Sequence, residues 1–436
     1  MAADRKPFAL RAVLLLASAV LLANARVIEE KFGASVHDLI EHITTAKESV
    51  NTGFEWLEPL VDDFGNRMLC TDRLEKAIDY MFKGLQADGF DNTHTEEVAD
   101  LPNWQRGDDR VWLVEPRRQL LNILGDRRHR PVERTAEGGR SERVRQVENV
   151  DVKGKIVIYN QPWNNYFDDY LYDDQARRPT PPGRLVDRNK TLKINMDIRS
   201  KNVGTCTSKN IVFDIKGSEF PNEIVLLSGH SDTWDLGQGA LGRWVTLPED
   251  DLNALFAADG GGMAAVWQGM KALQRLAKKD KRFQPKRTIR AVFWTAEEPG
   301  FHGANAYYAA HKNTSEEFVF VSETDQGAFR PTSNESMFRF QGNATHRARL
   351  QEIVELLQAN GIPLSIQEGA QGDVQPWADD GVPSINYVAD RGIDFYFYFH
   401  HTQGDYLNVF KEGDIDYTAA ILATLGHVLA GQDSWF

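Results

Sequence analysis

The chain has 436 residues, enough for one large domain or a main domain with a smaller companion. Its apolar fraction of 42 % and charged fraction of 26 % are those of a soluble globular protein. A formal net charge of −13 argues against a nucleic-acid partner, because a phosphate backbone rewards clustered Lys and Arg, and it leaves small-molecule and peptide substrates open.

The first residues read as an export signal. Arg5, Lys6 and Arg11 flank or interrupt the apolar stretch FALRAVLLLASAVLLA, and Ala23-Asn24-Ala25 has the small-x-small pattern of a cleavage site. A secretory signal peptide over 1–25 is expected, cut after Ala25. The alternative is an uncleaved anchor, for which the run is short and weakly flanked. No second long apolar run follows, so no membrane span is expected after cleavage. Glycosylation sequons at Asn189, Asn313, Asn334 and Asn343 fit that route. Cys70 and Cys206, the two cysteines, allow one bridge or none; they make neither a disulfide scaffold nor a zinc–thiolate site.

Residues 26–62 read as helical from the apolar spacing of VHDLIEHITTAKESV. A second helix is expected over 72–88. Asp72 and Glu75 make a capping-box pattern, Leu74, Ile78, Met81, Phe82 and Leu85 form one stripe, and Gly89 ends it. The Arg- and Glu-crowded stretch 118–150 has little apolar periodicity and reads as a solvated loop or link. VKGKIVIYN (152–160) reads as a strand, and 161–190 as irregular. From 205 the pattern is regular: strands at 210–217, 222–229, 287–295, 317–323 and 382–388 alternate with helices at 261–279, 345–360 and 413–430. Leu350, Ile353, Val354 and Leu357 mark one face of the helix at 345–360. Such alternation predicts an α/β fold, a mostly parallel mixed sheet flanked by helices.

Parallel sheets carry working residues just past the carboxyl ends of their strands. His230, Ser231 and Asp232 follow the strand at 222–229. Glu297 and Glu298 follow 287–295, and Asp325 follows 317–323. His400 and His401 lie in the loop between the strand at 382–388 and the last helix. Singly, His230 reads as an ordinary buried histidine and Asp325 as a turn residue before Gly327. Together they predict a small ion cluster on one rim of the sheet, since neighbouring strands lie about 4.8 Å apart. Imidazole and carboxylate donors without thiolates suit Zn²⁺ at a hydrolytic site. Asp232, two residues on, is placed to hydrogen-bond the other ring nitrogen of His230 and so to orient the imidazole toward a metal.

The segments GHSDTWDLGQGA, DGGG, QPKRTIRAVFWTAEEPGFHGA, VSETDQG and FHHTQGD resemble the co-catalytic zinc aminopeptidase and glutamate-carboxypeptidase superfamily. The resemblance is dense over 205–430, fair over 26–118 and 152–160, and poor between those. It implies two Zn²⁺ ions. His230 binds one, Glu298 and Asp325 are ligands, and His401, with His400 as the register alternative, serves the second ion. It makes Glu297 the general base. It implies hydrolysis of short peptides, dipeptides foremost, a homodimer, and a secreted or lysosomal location.

The resemblance also divides the chain. Residues 26–117 are the N-terminal helical segment and start of the catalytic domain, 118–204 a truncated remnant of an inserted protease-associated-like domain, and 205–436 the zinc peptidase catalytic domain. One motif departs from the family. Where relatives carry Asp-Asp-Gly-Gly-Gly after Gly-Ala, Gly239-Ala240 is followed by LGRWVTLPEDDLNALFA and then Ala258-Asp259-Gly260-Gly261-Gly262. The bridging-ligand position therefore reads Ala258. Asp259, or Asp250 or Asp251, substitutes for it; or the stretch 241–257 is a gene-model artefact; or the bridging ligand is lost. The last reading gives a catalytically impaired receptor or binding module on the same fold. A glutaminyl-cyclase-like transferase is a further rival, against which the Glu-Glu pair and GHSDTWD favour a peptidase.

Overall fold

The computed structural model describes residues 28–121, 132–138, 192–235, 260–389, 406–407 and 410–433, with backbone alone for 132–138 and 192. These residues fall into two compact units, one within Met1–Ala99 and Thr207–Phe436, the other within Asp100–Cys206. The signal peptide, Asn189, the strand expected at 152–160, the irregular stretch 161–190, the 241–257 insertion, Asp259, His400 and His401 lie outside the described residues.

The larger unit opens with helix α1 (28–45) and α2 (Thr52–Phe64) rather than one helical run to 62. The break falls at Asn51, whose φ of 60° is left-handed and whose backbone N–H donates to Asp416 at 2.9 Å. Helix α3 (Asp72–Asp88) buries Leu74, Ala77, Ile78, Met81 and Leu85, leaves Phe82 half-buried, and ends at Gly89 with φ 71°. Its cap differs from the expected Asp72–Glu75 box. Thr71 is the N-cap, and its hydroxyl accepts the Leu74 N–H at 3.3 Å.

Strand β1 (Asp91–Gln105) comes next, from a stretch whose apolar pattern does not announce it. The smaller unit holds β2 (Arg110–Glu115), β3 (Gln119–Leu121), β4 (Val132–Gly138) and β5 (Leu192–Ile198), in the order β3-β2-β5-β4. Two of these strands fall in the 118–150 stretch expected to be a loop. The reason is pairing: β4 aligns seven residues antiparallel with β5, so ladder hydrogen bonds replace the missing apolar signal. Val111, Leu113 and Ile194 form the small core of this sheet.

The main sheet continues with β6 (Lys201–Ile215), β7 (Phe220–His230), β8 (Arg287–Trp294), β9 (Glu317–Gln326), β10 (Met337–Gln341), β11 (Ser365–Glu368) and β12 (Ser384–Val388). Its order is β1-β6-β8-β7-β9-β12-β10-β11. The run β8-β7-β9-β12 is parallel, while β6 and β10 pair antiparallel with β8 and β12. Helices α4 (Gly260–Ala277), α5 (His302–His311), α6 (Ala344–Ala359), α7 (Gln375–Asp379) and α8 (Asp414–Gly431) complete it. The architecture is thus the mixed, centrally parallel α/β sheet expected. Leu350, Ile353, Val354 and Leu357 of α6 are at most 1 % exposed, as their spacing implies.

Strand β8 is buried along its whole length although RTIRAVFW contains two arginines. Arg290 is satisfied by Asp214 at 2.8 and 2.9 Å, by the Tyr307 hydroxyl at 2.9 Å and by Glu316 at 2.9 Å. A buried guanidinium needs such partners, since leaving one unpaired costs several kcal/mol. Beside it Val212, Leu226, Val292, Trp294, Tyr307 and Trp377 share one apolar cluster. Neither cysteine is free: Cys70 and Cys206 are disulfide-bonded. Asn313, Asn334 and Asn343 are exposed.

Candidate metal centre

Parallel pairing puts the carboxyl ends of three strands on one rim. His230, the last residue of β7, is opposite Trp294, the last of β8, and Ser228 is opposite Glu323 of β9. His230 is 2 % exposed. Its Nδ1 donates to the backbone carbonyl of Asp232 at 2.9 Å, which fixes the tautomer and leaves Nε2 facing carboxylates. Nε2 lies 3.1 Å from Asp325 Oδ1 and 3.6 Å from Glu297 Oε2.

Asp232 serves the site differently from the sequence expectation. Its carboxylate is 3.7 Å from the imidazole, too far for a hydrogen bond. Instead, Oδ1 accepts the backbone N–H of Glu297 at 3.0 Å and Oδ2 that of Glu298 at 3.3 Å. The imidazole is held by the Asp232 carbonyl, which frees the side chain for the neighbouring strand end.

The Glu297–Glu298 turn is built by short-range geometry. Ala296 has φ 56°, which turns the chain out of β8. Asn210 of β6 braces the bend, accepting the Thr295 N–H at 3.0 Å and donating to the Gly303 carbonyl at 2.9 Å. Only glycine fits at 303, because a Cβ there would lie 2.2 Å from the Thr295 carbonyl oxygen. Below, fully buried Arg67 donates through Nε to the Ser231 carbonyl at 2.8 Å, and Ser231 donates through its N–H and its hydroxyl to the Trp294 carbonyl, both at 2.7 Å.

His230, Glu297 and Glu298 each offer a ligand atom within 4.8 Å of the others. Burial pushes the Glu297 carboxyl well above the carboxylate range; His230 pulls it down, and the charges of Asp325, Glu298 and Asp232 push it up again. Glu298 is likewise raised by burial, with His230 pulling down and Asp232 and Asp325 pushing up. These acids crowd one another around a single imidazole, and such mutual repulsion among buried carboxylates is relieved by a bound cation. The donor set, one tautomer-locked imidazole and several carboxylates, fits zinc.

Two acids not expected from the sequence stand behind this rim. Glu323, two residues before Asp325 on β9, is 2 % exposed, and burial followed by the Asp325 charge raises it to about 7. Asn386, opposite it on β12, donates to its Oε2 at 2.8 Å. Asp373 is fully buried against Glu323; burial, then Glu323 and Glu297, drive its carboxyl well up. The two-residue strand repeat from Asp325 could have flagged Glu323. Asp373 lies just before α7, and no local signal marks it.

The structure therefore gathers His230, Asp232, Glu297, Glu298 and Asp325, five of the residues chosen from the sequence, at one place. Among known proteins, the model of Peptidase family M28 matches residues 210–425. Carboxypeptidase Q of Mus musculus is 31 % identical over 437 residues, covering 88 % of this chain and 86 % of the mouse protein. Carboxypeptidase Q of Bos taurus is 30 % identical, covering 90 % and 88 %. Of solved structures, a peptidase M28 precursor from Shewanella amazonensis SB2B superposes with a TM-score of 0.74 at 22 % identity, covering 93 % of this chain and 98 % of that one. BSAP, a zinc aminopeptidase from Bacillus subtilis, does so with a TM-score of 0.58 at 14 % identity, covering 88 % and 96 %, and both likenesses speak for the fold. Identity of this extent across both chains, on a rim of this geometry, shows that the chain belongs to Peptidase family M28, alongside carboxypeptidase Q.

Proposed function

We propose that this protein is a zinc-dependent exopeptidase that hydrolyses short peptides, dipeptides foremost, with Glu297 as general base. The observation that carries the reading is the meeting of His230 Nε2, Glu297, Glu298 and Asp325 at adjoining strand ends. His230, Glu298 and Asp325 would hold zinc. His401 and Asp259 complete a set for two ions in this reading. Zinc, when bound, acidifies water and polarises a carbonyl. Glu297 takes the proton of the attacking water and delivers it to the leaving amine nitrogen. Asp232 anchors the backbone of Glu297 and Glu298 through their N–H groups.

The disulfide and the exposed Asn313, Asn334 and Asn343 support passage through the secretory route, to a secreted or lysosomal location. A homodimer is part of the reading and is checked by mass in solution. A second reading, an impaired binding module, is favoured by Ala258 at the bridging position. Zinc content and dipeptide hydrolysis of the wild type and Glu297→Gln decide between them. The variant is expected to keep metal and lose activity. A wild type that takes up no zinc and cleaves nothing leaves the binding module standing.

A further inference from the structure

At the far end of α5 two imidazoles face one carboxylate. His94 and Glu96 lie two apart on β1, so their side chains share a face of the strand. His311 is the last of the ten residues of α5, about 15 Å of helix from the Glu297–Glu298 turn. His94 Nε2 lies 3.1 Å from Glu96 Oε1. His311 Nε2 lies 3.0 Å from the same oxygen and 3.2 Å from Oε2.

The other nitrogen of each ring is already taken. His94 Nδ1 donates to the Asn92 carbonyl at 2.7 Å, and His311 Nδ1 donates to Glu316 Oε2 at 2.8 Å. A carbonyl or carboxylate on Nδ1 is the outer partner that a metal-bound histidine carries, and it leaves Nε2 as the ligand atom. Each ring therefore has acceptors on both sides. In this network Glu96, Glu316 and Asp214 bring three negative charges, and Arg290, bonded to Glu316 and Asp214, brings one positive charge. With neutral rings the balance lacks two positive charges, which one divalent cation supplies.

We propose that His94, Glu96 and His311 form a zinc site apart from the catalytic rim, one that staples β1 to the end of α5. Two imidazoles and a carboxylate are a zinc donor set. Donors on a tetrahedral zinc stand about 3.3 Å apart, close to the N···O separations of 3.0 and 3.1 Å here. The triad is open in this structure, its donor atoms spread wider than the 4.8 Å of the rim set. His94, whose side chain is 40 % exposed, turns inward to close it, and water takes the fourth position.

Zinc titration by calorimetry near neutral pH, on the full chain freed of metal, tests the site in the wild type, His94→Gln, His311→Gln and His230→Gln. Circular dichroism checks that each variant is folded. The wild type is expected to bind one zinc equivalent that His94→Gln and His311→Gln lose or bind more than about 100-fold weaker, beyond the cost of losing an outer hydrogen-bond partner. His230→Gln, altered at the rim, is expected to keep that equivalent. Superposing isotherms of the wild type and folded His94→Gln overturn the proposal and leave two imidazolium rings clasping Glu96. Loss of every zinc equivalent in folded His230→Gln overturns it as well.

Discussion

The Asp232 carboxylate accepts the backbone N–H of Glu297 at 3.0 Å, and its second oxygen takes that of Glu298 at 3.3 Å. One buried acid at the end of β7 thereby sets the directions of two others at the end of β8. Asp232→Asn keeps the size but replaces one acceptor with an amide that opposes an N–H. Zinc affinity and kcat/KM are expected to fall about 10- to 100-fold, as for other residues that orient ligands. Zinc titration with a competing chelator checks it; an unchanged affinity would contradict the role.

Zinc removal should matter more at high pH. Burial raises the Glu297 and Glu298 carboxyls in the metal-free protein. A carboxyl raised on folding holds its proton better in the native state, so its charge destabilises the fold as pH rises above about 4.3. A cation reverses that cost. The melting temperature should drop further on chelation at pH 8 than at pH 5, and zinc uptake should release protons, measurable by calorimetry in two buffers of different ionisation enthalpy.

Asp373 is expected to weaken the metal-free protein for the same reason. Its buried carboxyl faces Glu323 and Glu297, which raise it further. Asp373→Asn should raise stability at pH 7 by about 1–3 kcal/mol, the scale of a poorly satisfied buried polar group, with the gain shrinking towards pH 4. Urea unfolding at both pH values reads the difference.

His427 sets an acid limit. It is 4 % exposed, meets Ser35 Oγ at 2.8 Å, and burial, followed by Arg282, lowers it to about 4. The unfolded chain takes up this proton near 6.5 and the folded chain only near 4, so stability is lost as pH falls through that window. The loss is on the order of 3 kcal/mol at its fullest. His427→Gln should flatten the stability profile between pH 6.5 and 4, as followed by urea midpoints.

Gly303→Ala probes the turn itself. The added methyl would meet the Thr295 carbonyl at 2.2 Å, so the bend carrying Glu297 and Glu298 must shift. A destabilisation of about 1–3 kcal/mol or more is expected, with loss of activity exceeding loss of folded protein. Activity per folded molecule, normalised by circular dichroism, separates the two.

Much of the catalytic unit was legible in the residues alone. Strands such as NEIVLLSG and RTIRAVFW announce themselves because a buried parallel strand must be apolar along most of its length. His230, Glu297, Glu298 and Asp325 then followed from the rule that working groups sit past strand ends, without knowledge of which strands are neighbours. The small sheet was not legible: β4 has almost no apolar signal, and its strand character comes from seven residues of pairing with β5, partners more than fifty positions away. The break at Asn51 likewise depends on Asp416, far along the chain. Within the centre, the sequence supplied the donor types, but tertiary packing decided their tasks. It sent the Asp232 carboxylate to two backbone amides rather than to the imidazole, and it closed Glu323 and Asp373 together out of water. The division has a physical cause: burial of apolar side chains follows local periodicity, whereas the partner and charge state of a polar group depend on whatever distant segment the fold brings within hydrogen-bond reach.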